Sequence, residues 1–154
     1  MNIKVHTNIS DEFADIEIVI NAPKLTEEVK KIEEELLSKV SENKKNVIGM
    51  QGNDIFLINV SDVIVFYSEE KSNYCKTNDG IYRIKEKIYY LEEILPKNDF
   101  IRISNSKIIN IDFVKCFNTS IIGKIIIIFK DESEEIVSRR RTSDILKFLK
   151  ERGI

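Results

Sequence analysis

The chain has 154 residues, 42% of them hydrophobic and 32% charged, a balance that fits a soluble globular protein with one good core and excludes disorder along its whole length. Its longest apolar run, Ile121 to Phe129, is broken by Gly123 and Lys124 and falls short of the roughly 20 residues that cross a bilayer, while Asp11, Glu12, Asp15 and Glu17 occupy the place of a signal peptide's apolar region, so a cytoplasmic protein is expected. The net charge of −2 does not exclude a nucleic acid partner, because residues 1–46 carry 7 basic and 10 acidic side chains whereas residues 47–154 carry 17 and 16.

In chain order, Ile3 to Thr7 and Ile16 to Asn21 read as a strand pair, the second with Ile16, Ile18 and Ile20 alternating along it. An amphipathic helix follows, with Pro23 in its first turn, Leu25, Val29, Ile32, Leu36 and Val40 as its apolar stripe, and an end near Ser41-Glu42-Asn43. Lys44-Lys45-Asn46 is the expected junction, which divides the chain into an extension, 1–46, and a domain, 47–154.

Beyond the junction the pattern becomes short β runs: Val47 to Gln51, Asp54 to Asn59, Val63 to Tyr67 and Tyr74 to Thr77. Ser68 to Ser72 is a polar connection longer than a tight hairpin needs, and Asn78-Asp79-Gly80 suits a hairpin turn at positive φ leading into Ile81 to Ile84. A short helix from about Lys87 to Leu95 stops at Pro96. Strands resume at Phe100 to Ile103, Lys107 to Ile111, Val114 to Phe117, Ile121 to Phe129 and Glu135 to Ser138, and a helix from Arg139 to about Arg152 closes the chain. The expected fold class is mainly β with short helices (α+β): an antiparallel β domain preceded by a small β-β-α extension.

Three segments carry candidate chemistry. Ser138-Arg139-Arg140-Arg141 falls at the N-cap and first turn of the last helix, where the positive end of the helix dipole disfavours cations. A bound phosphate would reward them through backbone N–H groups and guanidinium forks together; Asp144 or the acids at 131–135 would instead make a solvated, partly neutralised turn. Ser104-Asn105-Ser106 sits between two β runs, and its asparagine suits either a base edge or an ordinary turn. Ser68 to Tyr74 is the third, a solvated turn if it has no ligand. His6 is the single histidine, Cys75 and Cys116 lack metal-ligand spacing, and there is no glycine-rich phosphate loop. No enzyme, catalytic residue, cofactor, metal or small-molecule substrate is expected, and both cysteines read as reduced structural thiols.

The ordered set of these features resembles the LytTR family of bacterial DNA-binding domains over about residues 47–152. The most specific parts are Phe100-Ile101-Arg102-Ile103-Ser104-Asn105-Ser106 with Ile109-Asn110-Ile111-Asp112, and Val137-Ser138-Arg139-Arg140 leading into a short helix. Val60 to Phe66 and Asp79-Gly80 fit the same family. The resemblance implies an elongated fold of about ten strands whose loops enter successive major grooves of double-stranded DNA. Carried over residue by residue, base contact falls on Asn73, Asn105 and Arg140. A well-studied branch has histidine followed by arginine where this chain has Asn73-Tyr74, a departure at that loop. Lys71, Arg102, Lys107, Arg139 and Arg141 are the phosphate candidates on charge and position.

Forty-six residues cannot build a phosphorylatable receiver domain. The resemblance implies instead a stand-alone regulator, with a small membrane protein as a restraining partner, and the apolar stripe of the extension implies a homodimer. Two other classes compete with a sequence-specific regulator. One is a protein-interaction module in which the acidic extension binds a partner protein. The other is a cyclic-dinucleotide barrel, whose spaced arginine and Asp-x-Ser-x-x-Gly pattern is missing.

Overall fold

The computed structural model describes residues 3–14, 16–41 and 46–153, and the chain divides into two compact units, residues 1–36 and 37–154. In the first unit the expected strand pair does not form. Residues 3–7 and 16–21 have no strand pairing, and Ile3, Val5, Ile16, Ile18 and Ile20 are all exposed. Two strands alone cannot bury an apolar face, and a hairpin without a third strand or a covering helix is marginal in water. Helix α1 (Glu27–Ser41) begins later than Pro23 suggests. Thr26 caps it: its Oγ1 accepts the Val29 N–H at 3.3 Å and its carbonyl accepts the Lys30 N–H at 3.0 Å. Val29, Ile32 and Leu36 are half-buried while Leu25 is exposed. The expected junction at Lys44-Lys45 lies outside the described residues.

The second unit contains β1 (Asn46–Gln51), β2 (Asp54–Asn59), β3 (Val63–Glu69), β4 (Ser72–Thr77), β5 (Ile81–Ile84), α2 (Ile88–Ile94), β6 (Phe100–Ser104), β7 (Lys107–Asn110), β8 (Val114–Asn118), β9 (Ile126–Phe129), β10 (Glu134–Ile136) and α3 (Thr142–Glu151). Seven strands form one sheet in the order β2-β1-β5-β4-β3-β7-β6, and β10-β9-β8 form a second. All pairings are antiparallel.

Four local details differ from expectation, each for a stereochemical reason. The β3–β4 connection is not a long polar loop, because the strands pair out to Glu69 and Ser72 and leave a two-residue turn, with Glu70 at φ +47° and Lys71 at φ +64°. The turn at 78–80 does not use positive φ; the Thr77 N–H donates to the Gly80 carbonyl at 2.8 Å, and Thr77 Oγ1 accepts the Asp79 N–H at 3.1 Å. Strand β9 starts at Ile126 rather than Ile121, since Gly123 turns the backbone at φ +76°. The three arginines form a 3-10 turn, Arg139–Arg141, ahead of α3 rather than its first α-helical turn, and Ser138 contributes no side-chain cap.

The large sheet separates two apolar cores. Val63, Phe66, Cys75, Tyr82 and Ile108 pack with Ile88, Leu91 and Leu95 of α2 on one side. On the other, Ile64, Val65, Ile103 and Ile109 pack with Ile127 and Phe129 of the small sheet and with Ile145 and Leu149 of α3. Strict alternation cannot place Ile64 and Val65 on one face. A bulge between Val63 and Val65 does so, and it is why β3 is buried over four consecutive residues. Inside the first core the Cys75 thiol is pushed up to about 12 by burial and then by Glu86, which leaves it protonated and inert. Cys116 is exposed on β8. Asn59 and Asn110 end β2 and β7 in the same way, each side chain accepting an N–H two residues on, at 3.0 Å. Asn110 is fully buried and also donates to the Val63 carbonyl at 2.9 Å, which ties the end of β7 to the start of β3.

Candidate nucleic-acid interface

Because β3 pairs with both β4 and β7, the β3–β4 hairpin turn and the Ser104-Asn105-Ser106 turn emerge at the same end of the large sheet. The Ser68 N–H donates to the Ser106 carbonyl at 2.8 Å and fastens one to the other. Between them and the start of α2 lies a groove of about 290 Å³ lined by Ser68, Lys71, Asn73, Lys87, Ile88, Tyr89, Arg102 and Asn105. Four of the expected site residues, Lys71, Asn73, Arg102 and Asn105, thus meet around one cleft.

They differ in what they offer a ligand. Asn105 is exposed at its turn, and Lys71 projects from the hairpin. Asn73 is only 8% exposed, seated on the groove floor between its strand neighbours Ser68 and Ile84. Arg102 lies beneath the Ser-Asn-Ser turn. Its Nε donates to the Ser104 carbonyl at 3.0 Å, Nη2 donates to the Asn105 carbonyl at 2.7 Å, and Nη1 meets Glu92 Oε2 at 2.5 Å. A guanidinium fork suits this work, because its planar donors satisfy two carbonyls and a carboxylate at once.

The arginine turn joins the same end of the domain. The Ser138 N–H donates to the Ile103 carbonyl at 2.9 Å, so the turn hangs from the strand that carries Arg102. Arg141 folds inward, with Nη1 3.5 Å from Glu92 Oε1 and 3.6 Å from Asp144 Oδ2. Arg139 and Arg140 are exposed and make no ion pair among the described residues. Lys107 extends the other way, to Glu135 Oε2 at 2.5 Å.

The candidate set therefore divides into side chains available to a ligand, Lys71, Asn105, Arg139 and Arg140, and side chains engaged with their own chain, Arg102, Lys107 and Arg141. Asn73 lines the groove without projecting from it. Sequence reasoning missed Glu92, Lys87 and Tyr89. Glu92 looks like one of many surface carboxylates on a short helix, and only the fold brings Arg102 and Arg141 to its two oxygens. An exposed tyrosine two residues from an exposed lysine, at the start of that helix, was the available signal for the other two.

Residues 53–150 match the LytTr DNA-binding domain family. The chain belongs to this family. It is similar along nearly its whole length to an uncharacterized HTH-type transcriptional regulator of Staphylococcus aureus strain MRSA252, at 32% identity over 99% of this chain and 96% of the relative. A similarly named protein of strain NCTC 8325 matches at the same identity and coverage. The LytTr DNA-binding domain of a Bacillus cereus response regulator superposes with a TM-score of 0.66 at 22% identity, covering 69% of this chain and 97% of that one. That likeness shows a LytTr-like fold. The family binds DNA and is not an enzyme family. Although the staphylococcal relatives are called HTH-type, no two α-helices of this LytTR chain are joined by a short turn among the described residues.

Proposed function

We propose that this chain is a sequence-specific, double-stranded-DNA-binding transcription regulator of the bacterial cytoplasm that reads successive major grooves with loops. The reading rests foremost on Arg139 and Arg140, two exposed arginines without an ion pair among the described residues, on a turn hydrogen-bonded to the strand that braces the Asn105 turn. Unpaired guanidinium groups on a projecting turn are what bidentate contact with a guanine edge or a phosphate requires. Arg140 and Asn105 contact base edges in this proposal, Lys71 and Arg139 contact phosphates, and Arg102, Lys107 and Arg141 act from within the protein, holding the loops that carry the others. Asn73, recessed in the groove, contributes less to base contact than the two projecting residues. The relatives' description as transcriptional regulators supports the regulatory half of the proposal.

Selecting duplexes from a random pool with the purified protein tests it. A shared motif in two half-sites is the expected outcome, and a pool no different from its input contradicts sequence reading. Residues 1–46 serve self-association in this proposal, since Val29, Ile32 and Leu36 form a stripe and the preceding isoleucines are exposed. A two-fold dimer places two reading ends on adjacent half-sites. Sedimentation of the whole chain at micromolar concentration checks this, and a monomer contradicts it. The same exposed residues suit the alternative, in which the acidic extension binds a small membrane protein or another partner.

A further inference from the structure

Glu92 stands on α2, outside all three candidate reading elements, yet its two carboxylate oxygens are engaged by arginines of two of them. Oε2 meets Arg102 Nη1 at 2.5 Å and Oε1 meets Arg141 Nη1 at 3.5 Å. Arg102 in turn holds the carbonyls of Ser104 and Asn105, and Arg141 closes the turn whose two preceding residues are Arg139 and Arg140. One carboxylate thus connects the asparagine turn to the arginine turn through two guanidinium groups, with the arginine side chains only 15% and 25% exposed. A carboxylate is otherwise out of place here. On a basic surface that meets phosphates, a negative charge opposes binding, so a role in binding has to come from geometry.

We infer that Glu92 is a positioning residue for sequence reading, which holds the Arg140 turn at a set distance from the Asn105 turn and keeps Arg102 and Arg141 off the phosphates. This rests on the DNA-reading proposal above. Its signature is an opposition of sign. Removing the carboxylate relaxes the spacing between the two turns, so affinity for the preferred site falls. It also removes a negative charge and frees two guanidinium groups, so affinity for arbitrary DNA stays level or rises.

Glu92→Ala and the isosteric Glu92→Gln can be titrated against a duplex selected from a random pool and against a scrambled duplex of equal length, with thermal unfolding of each variant measured in parallel. In Glu92→Ala the ratio of selected to scrambled affinity falls about tenfold, the scale of one charge-assisted hydrogen bond, and the scrambled duplex binds as well as before or better, with a steeper salt dependence. Glu92→Gln, which keeps one acceptor and the side-chain volume, falls between; it also carries the test if the alanine variant does not fold. Equal losses on both duplexes mean that Glu92 only stabilises the fold, and equal gains mean that it only repels phosphate; either result overturns the inference. Failure of the unmodified protein to distinguish the two duplexes is a separate result, which removes the DNA-reading proposal and this inference with it.

Discussion

The two turns at the end of the large sheet are built in opposite ways. The Ser104-Asn105-Ser106 turn is held from below by Arg102, from the side by the Ser68 N–H, and by the Ser104 Oγ, which accepts the Ser106 N–H at 3.3 Å. The Glu70-Lys71 turn relies on the pairing of its own strands and on the stacked Tyr67 and Tyr74 rings, 5.3 Å apart, and it holds two non-glycine residues at positive φ. A side chain that reads a base must be held in place before the base arrives, whereas a lysine that meets a phosphate tolerates motion. The contrast suits the proposed division, base reading by the braced turn and backbone contact by the strained one.

The largest effect expected is on the brace. Arg102→Ala removes two hydrogen bonds to the asparagine turn and leaves Glu92 without its shortest ion pair, so it lowers stability by about 2–3 kcal/mol in denaturant unfolding. Asn105→Ala leaves the brace intact and costs about 1–3 kcal/mol on a selected site, with much less on scrambled DNA. In the other turn the sign of the stability effect reverses. Lys71→Gly relieves a residue at φ +64° and raises stability by about 0.5–1 kcal/mol, while it weakens every DNA sequence alike and flattens the log–log salt dependence by about 0.9. A change in selectivity with Lys71→Gly would contradict a purely backbone-contacting role for this turn.

The effect that is smallest at neutral pH, where the thiol is protonated in both states, lies in the core beneath both turns. Cys75 is raised to about 12 in the folded state and takes its ordinary thiol value when unfolded. Above that ordinary value the unfolded chain gives up its proton first. Stability therefore falls as pH rises towards 12, by at most about 1.4 kcal/mol per pH unit. Cys75→Ala removes that part of the slope in unfolding measured across alkaline pH.

Much of the second unit is legible in the sequence because short alternating runs and turn residues fix each strand to within a few positions. What is not legible is whatever depends on two segments at once. Ile64 and Val65 look like any apolar pair until the bulge in β3 places both on one face. Glu92 looks like a solvated carboxylate until β6 and the arginine turn close on it. The run Ser68 to Ser72 reads as a loop because nothing local announces that Glu70 and Lys71 accept positive φ. The first unit fails in the opposite sense: residues 3–7 and 16–21 have the alternation of strands and no third strand to complete them. Among the candidate site residues, charge shows which are basic, and only the fold shows that Arg141 turns inward while Arg139 and Arg140 have no ion pair among the described residues.

On the proposed reading Arg140, one of these two exposed arginines, reads sequence. Arg140→Ala, titrated against a selected and a scrambled duplex at two salt concentrations, tests it directly. The expected result is a loss of about 1–3 kcal/mol confined to the selected duplex, against an Arg139→Ala control that weakens both duplexes and flattens the salt dependence by about 0.9. An equal loss on both duplexes for Arg140→Ala would make it a phosphate clamp and contradict the account.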